Sequence, residues 1–451
     1  MHTYYTALLA SVLLSSLLSA QSYSGLVVDN YAGTHSLLLN PANVADSRTA
    51  FEIHLGSVSA LVGSDYAELD GSRVRDALDT DADQAILSRD LRDDNFGFGS
   101  VDVLGPSLFM SLSPNTGLGI LTRARGMYTV ANINGGLFEG LQSDFDAFPD
   151  FPVEQTDARS TLHLWGEASV VLGTVLLRTD HSVLKGGAAV KYLQGLGAVY
   201  TRNEQLMGSY DRTNSRITLN GDMTFGRAGD LDLEAIEPGN RSTAFGFDLG
   251  LSYEWRPGSV RDTSRLRAPY RVRAAVSLMD MGGIGYDAGY RTDYLLSGGL
   301  PVATIEDADG TEALLAANFD GATTEESVTV GLPTTLHALL DLRVGGAFYV
   351  SALYSSFSED EERLAPSLPT TLTLAPRIDA KVLGLSLPIT FREGQPTSVG
   401  AGLRFGPLVV GSSTIVSHAF LGGAYAADVY LGLKWPFQRR IRRRSTNRNP
   451  T

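Results

Sequence analysis

From Thr243 to Trp255 every second residue is large and apolar: Phe245, Phe247, Leu249, Leu251, Tyr253 and Trp255 alternate with Gly246, Asp248, Gly250, Ser252 and Glu254. A period of two marks a β-strand, because successive side chains point to opposite faces of the pleat, and it excludes a helix. The pattern recurs along the chain. Leu162, Leu164, Ala168, Val170 and Leu172 alternate with His163, Trp165, Glu167 and Ser169, and Val272, Ala274, Val276 and Leu278 alternate with Arg271, Arg273 and Ser277. Leu336 to Leu342, Val399 to Phe405 and Val429 to Trp435 repeat it. Each run approaches the roughly 9–11 residues of a tilted membrane-spanning strand. With weaker runs included, the pattern predicts about 14 antiparallel strands, an even number as single-chain barrels favour.

One strand cannot say whether its apolar face meets a protein core or lipid. A soluble sandwich would bury that face, whereas a barrel in a membrane turns it outward and places aromatics at the two interfaces, as Tyr253 and Trp255 at one end of the run would be. Length and composition allow two or three soluble domains or one large closed barrel. The chain has 451 residues, 48 Gly, 18 Tyr, no Cys and a mean hydropathy near zero. Beyond the first twenty residues no run of about 18 apolar residues occurs, so no spanning helix is expected there. The absence of Cys removes disulfides and thiolate metal sites.

Thr6 to Ala20 is an apolar run of signal-peptide length ending in Leu18-Ser19-Ala20, although no Lys or Arg precedes it. The expectation is cleavage near Ala20, with residues 1–20 a signal peptide; a retained anchor would be short for a bilayer. Charge then separates the strands from what joins them. Residues 65–94 hold ten Asp or Glu and four Arg, residues 139–157 six acidic side chains and residues 301–327 seven, the last two without a basic residue. Glu359, Asp360, Glu361 and Glu362 add four more. The net charge of −14 is thus concentrated in loops, as expected of wet extracellular connections that alternate with short turns.

Candidate chemistry is sparse. No Gly-x-Ser-x-Gly elbow or His-Glu-x-x-His pair is present, and the seven His are scattered. A Ser–His–Asp set assembled from distant strands stays open, since such sets are defined by geometry. No enzymatic activity, cofactor or nucleic-acid partner is expected. Asp79, Asp81, Asp83 and Asp90 fall at calcium-loop spacing, but Gln84 stands where the sharp turn needs Gly and Asp90 where a bidentate Glu is needed, so a solvated acidic loop is the better reading and calcium is not expected. Val74, Ala77, Leu78, Ile86 and Leu91 are spaced as a short amphipathic helix in that loop. In the polar phase of the strands Arg123, Arg125, Glu167, Asp248, Glu254, Arg271, Arg273, Asp341, Arg343, Arg404 and Lys434 would project into the lumen. Their mixed signs argue against a channel selective for one charge and leave two readings, a network of ion pairs across the lumen or a polar solute path.

The segment "GLVVDNYAGTHSLLLNPANVADSR" (Gly25 to Arg48) resembles the N-terminal signature of outer-membrane barrels of unknown function from bacteria with type IX secretion, and later segments resemble the same family in order. Asn40-Pro41-Ala42 is similar to the element near the start of FadL-type transporters and of PorV- or PorQ-like barrels. The resemblance implies a FadL-like transmembrane barrel (residues 49–437) in the outer membrane, with residues 21–48 inside as a plug. It leaves open a structural or interaction barrel, accessory to secretion or attachment through an envelope partner, and an uptake channel for hydrophobic or small solutes. After Phe437 the chain ends in "QRRIRRRSTNRNPT", where Arg439, Arg440, Arg442, Arg443 and Arg444 are expected in a basic periplasmic tail that meets anionic lipid headgroups or an acidic partner.

Overall fold

A computed structural model describes residues 23–69, 86–142, 145, 149–229, 231, 242–257, 270–306, 308, 310–358 and 364–438. The apolar run at residues 6–20, Asp79 to Asp83 with most of their loop, and the basic tail after Gln438 lie outside the described residues.

Fourteen antiparallel strands close into a barrel. They are β1 (Thr49–Ser64), β2 (Asn95–Leu104, resuming at Ser107–Ser111), β3 (Thr116–Ile133), β4 (Arg159–Arg178), β5 (Ser182–Arg202), β6 (Thr243–Trp255) and β7 (Val272–Met281). The other half is β8 (Thr335–Gly345), β9 (Phe348–Phe357), β10 (Thr371–Asp379), β11 (Leu383–Ser386 and Ile389–Arg392), β12 (Ser398–Val399 and Ala401–Phe405), β13 (Leu408–Ser412) and β14 (Ala426–Gln438). Each pairs with its sequence neighbour, and β14 returns to β1 with Phe51 opposite Phe437 and Ala60 opposite Val429. Closure pairs the first and last strands of the wall with each other.

The alternation read from the sequence sets the two faces. In β6 the apolar phase is outside, with Phe245 62% and Leu249 54% exposed, while Asp248, Gly250, Ser252 and Glu254 are buried. Val170 and Leu172, Leu340 and Leu342, and Leu431, Leu433 and Trp435 are exposed in the same way, so an apolar girdle runs around the barrel.

Connections at the end where the chain enters and leaves the barrel are short, such as residues 112–115, 179–181, 346–347, 380–382 and 406–407; the longer one is 256–271. At the opposite end run the long ones: 65–94, 134–158, 203–242, 282–334, 358–370 and 413–425. The acidic insertions therefore all join strand ends on one side of the barrel, with Glu359 to Glu362 outside the described residues. There Gln205–Asp211, Arg216–Gly229 and Gly289–Pro301 extend the wall as further paired strands. The helix expected over the first acidic insertion is contradicted where it is described: Ile86–Arg89 is a strand paired with Ala67–Leu69, because backbone pairing across the loop outweighs a weak helical spacing. At the same end Gly283–Tyr286 pairs with Val328–Gly331 and folds over the lumen. Ile284, Tyr286, Val328, Val330 and Leu332 pack there on the inward residues Leu61, Phe98, Met127, Trp165 and Leu193.

Candidate functional site: the occupied lumen

The segment from Tyr23 to Arg48 runs inside the wall, and two short 3-10 turns, Gly33–Leu38 and Pro41–Val44, give it shape. Its first part is held by charge. Lys434 on β14, fully buried, donates to the carbonyls of Tyr31 (2.8 Å) and Ala32, and Glu52 on β1 accepts from the Thr34 N–H at 2.8 Å. A Cβ at Gly33 would lie 2.0 Å from the Glu52 carboxylate, and Gly33 is in the left-handed region (φ 59°), so glycine is required on both counts. Arg404 pairs with Asp29 at 2.9 Å, and Asp379 accepts from the Asn30 side chain at 2.6 Å. Behind them Asp341 receives Arg273 (2.9 Å) and Arg377 (2.8 Å), and Arg273 also donates to the Val28 carbonyl. Four buried cations thus face four carboxylates; the desolvation of each ion is offset only because every one has partners.

The second part is seated by shape. Gly117 on β3, Gly173 on β4, Gly187 on β5 and Gly250 on β6 stand directly opposite one another in the ladder, forming a row across four adjacent strands. Onto this row the Asn40-Pro41-Ala42 turn and Val44 settle with backbone close to backbone. A Cβ would come within 2.2 Å of the Val44 carbonyl at Gly117, 2.4 Å of Ala42 N at Gly187 and 2.1 Å of Asn40 Oδ1 at Gly250. Asn40 caps the turn by accepting from the Ala42 N–H (2.8 Å) and donates to the carbonyls of Leu251 and Val276, opposite residues of β6 and β7. Ser277 donates to the Leu39 carbonyl beside it at 2.5 Å. At the short-turn rim, Asp46 meets Arg256 (2.7 Å) and Arg178 (3.3 Å), and Glu254 pairs with Lys185 and Arg256.

A second charged cluster spans the lumen away from the segment. Arg123 binds Asp102 (3.0 Å) and Glu167 (3.3 Å), Arg125 binds Asp280 (2.8 Å), and Lys191 binds Asp248 (2.9 Å) and Asp280. Three cations meet four carboxylates. Asp280 is here because β7 bulges: its register against β6 slips between Phe247 and Leu249, and Asp280, at φ 58°, turns inward next to Met279.

Between this cluster, the N-terminal segment and the apolar cap lies a chamber of about 90 Å³. Gly25, Val27 and Leu39 form its floor, Arg123, Arg125, Asp280 and His337 its polar side, and Met127, Met279, Leu353, Phe357 and Leu368 its apolar side.

Of the side chains proposed from sequence for the lumen, Arg123, Arg125, Glu167, Asp248, Glu254, Arg273, Asp341, Arg404 and Lys434 lie inside, distributed over these networks. Arg271 and Arg343 lie at the short-turn rim instead, where they bond the carbonyls of Val344 and Gly346. There the strand phase gives way to turn geometry. The alternation, followed further, would have found Asp102, Lys185, Lys191 and Arg377, whereas Asp280 is off-phase and only the bulge reveals it. Ser57 lies within 3.1 Å of His54 and 3.2 Å of His35, yet no carboxylate is bonded to either imidazole among the described residues, and Ser57 is buried. The third group of a hydrolytic set is missing there.

A model described as a family of unknown function, DUF5723, matches residues 41–413. The chain belongs to the DUF5723 family. The DUF5723 match opens at Pro41 of the seated turn and runs through the strands that line the chamber. No curated protein matches the chain. Among solved structures it is similar to a TodX deltaS2S3 mutant monoaromatic hydrocarbon channel (10% identity, 94% of this chain and 98% of that one, TM-score 0.46). It is similar also to a Pseudomonas aeruginosa FadL homologue (12% identity, 93% and 96%, TM-score 0.41) and to the translocator domain of autotransporter NalP from Neisseria meningitidis (8% identity, 96% and 97%, TM-score 0.31).

Proposed function

We propose that this DUF5723 protein is a non-enzymatic outer-membrane barrel that takes up a small amphipathic solute, with the N-terminal segment as its plug. The observation that carries the reading is the chamber. It has one polar and one apolar side, and it is floored by the N-terminal segment. Its charged wall is largely internally paired, which favours a solute with a compact polar group and a short apolar body over a free ion. The outer membrane is supported by the apolar girdle and by the gathering of acidic loops at one end. That end also supports a second reading, docking of a secretion or attachment partner on the carboxylates.

The test is binding to the refolded chain of medium-chain carboxylates and small aromatic alcohols, compared with a Leu353→Trp variant whose indole fills the chamber. Saturable binding lost in the variant, with heat-modifiable gel migration intact, is the expected result. Equal binding by both proteins would remove the chamber from the path, and recovery of a bound envelope protein without solute binding would favour the docking reading.

A further inference from the structure

The wall is not made of strands throughout. β13 stops at Ser412, while its neighbours continue: β12 reaches up to Ser398 and β14 to Ala426. Beyond Ser412 the seam between them is filled by the helix Ile415–Phe420. Its attachments are to the strand edges that β13 would have paired. The Val399 N–H of β12 donates to Ser417 Oγ at 2.8 Å, and His418 Nε2 lies 2.9 Å from the Ala426 carbonyl of β14. Asp428 ties down the chain before the helix by accepting from the Ser413 N–H and from the hydroxyls of Ser412, Ser413 and Thr414. Ser417 is buried against the wall, whereas Ile415 and, at the C-terminal end of the helix, Phe420 and Leu421 are exposed, Phe420 to 82%.

This connection differs in chemistry from the other long ones at its end. Residues 413–427 contain no Asp, Glu, Lys or Arg, whereas residues 65–94 and 301–327 carry ten and seven carboxylates. Three large apolar side chains without a single charge do not suit the aqueous surroundings of the acidic loops. They sit between Val399 and Ala427, outward positions of the two flanking strands, and so continue the apolar girdle. A helix satisfies its own backbone better than an irregular loop, which makes it the tolerable substitute for a strand next to hydrocarbon. We infer that the helix Ile415–Phe420 is a lipid-contacting patch of the barrel wall, with Ile415, Phe420 and Leu421 embedded at the boundary of headgroups and acyl chains. The inference rests on the membrane reading of the barrel.

The chain has no Cys, so single labels are clean. Spin labels on Phe420→Cys, Leu249→Cys and Asp320→Cys, each refolded into phosphatidylcholine vesicles, would be compared for collision with oxygen and with a water-soluble nickel chelate. The expected result is oxygen-dominated collision at positions 420 and 249, several-fold above position 320. Chelate-dominated collision at 420 with oxygen dominance at 249 overturns the patch while sparing the membrane reading, and so does protection of 420 from both reagents, the mark of cover by protein. Chelate dominance at 249 overturns both.

Discussion

The two parts of the N-terminal segment are held by opposite means. Residues 23–35 are gripped by buried charges on β1, β7, β10, β12 and β14, whereas residues 40–44 lie on four glycines of β3 to β6 that present no side chain at all. The charged side gives direction: Asp29, Asn30 and the Tyr31 and Ala32 carbonyls each have a specific acceptor or donor, and a shifted segment would strand buried ions. The glycine side gives closeness and depends on shape alone. The strands differ correspondingly, since β3 to β5 are long and regular while β11 to β13 are short or interrupted.

The largest effect is expected on the charged side. Asp341→Ala leaves Arg273 and Arg377 short of their shared partner and should cost about 3–5 kcal/mol, read as a lower urea midpoint in vesicles. A midpoint unchanged from the wild type would mean that this network does not hold the barrel. Gly187→Val should cost about 1–3 kcal/mol by overpacking against the Pro41–Ala42 backbone. It should also open residues 36–48 to protease in the refolded protein, and continued protection would show that the row is no seat. Asn40→Ala removes its two bonds to the β6 and β7 carbonyls and should cost about 1–2 kcal/mol, less than either. At the rim, Arg271→Gln should change stability by no more than about 0.5 kcal/mol, and a larger loss would place Arg271 in the buried network after all.

How legible this was in the sequence follows from the same contrast. Wherever a strand keeps strict alternation, as β6 does from Thr243 to Trp255, its bounds, its faces and its inward charges could be read directly, because the pleat has a fixed period. What escaped lies where that period breaks. Asp280 comes inward through a bulge, Arg271 and Arg343 leave the phase at turns, and Ile86–Arg89 pairs as a strand despite a helical spacing. The glycine row was hidden for another reason. Gly117, Gly173, Gly187 and Gly250 are each ordinary in their own strands, and only the register between strands brings them into line. The helix that replaces the upper part of β13 was marked by the uncharged run 413–427, but a missing strand gives no periodicity to find.

The central claim is the proposal that the N-terminal segment plugs the barrel at the end away from the apolar cap. Ion conductance in planar lipid bilayers tests it most directly, comparing the full chain with a variant carrying Gly117→Val, Gly173→Val and Gly187→Val together, in which residues 40–44 cannot seat. The account predicts no sustained conductance for the full chain and steady openings for a variant that still migrates as a folded, heat-modifiable barrel. Steady conductance of the same size from both proteins would contradict it.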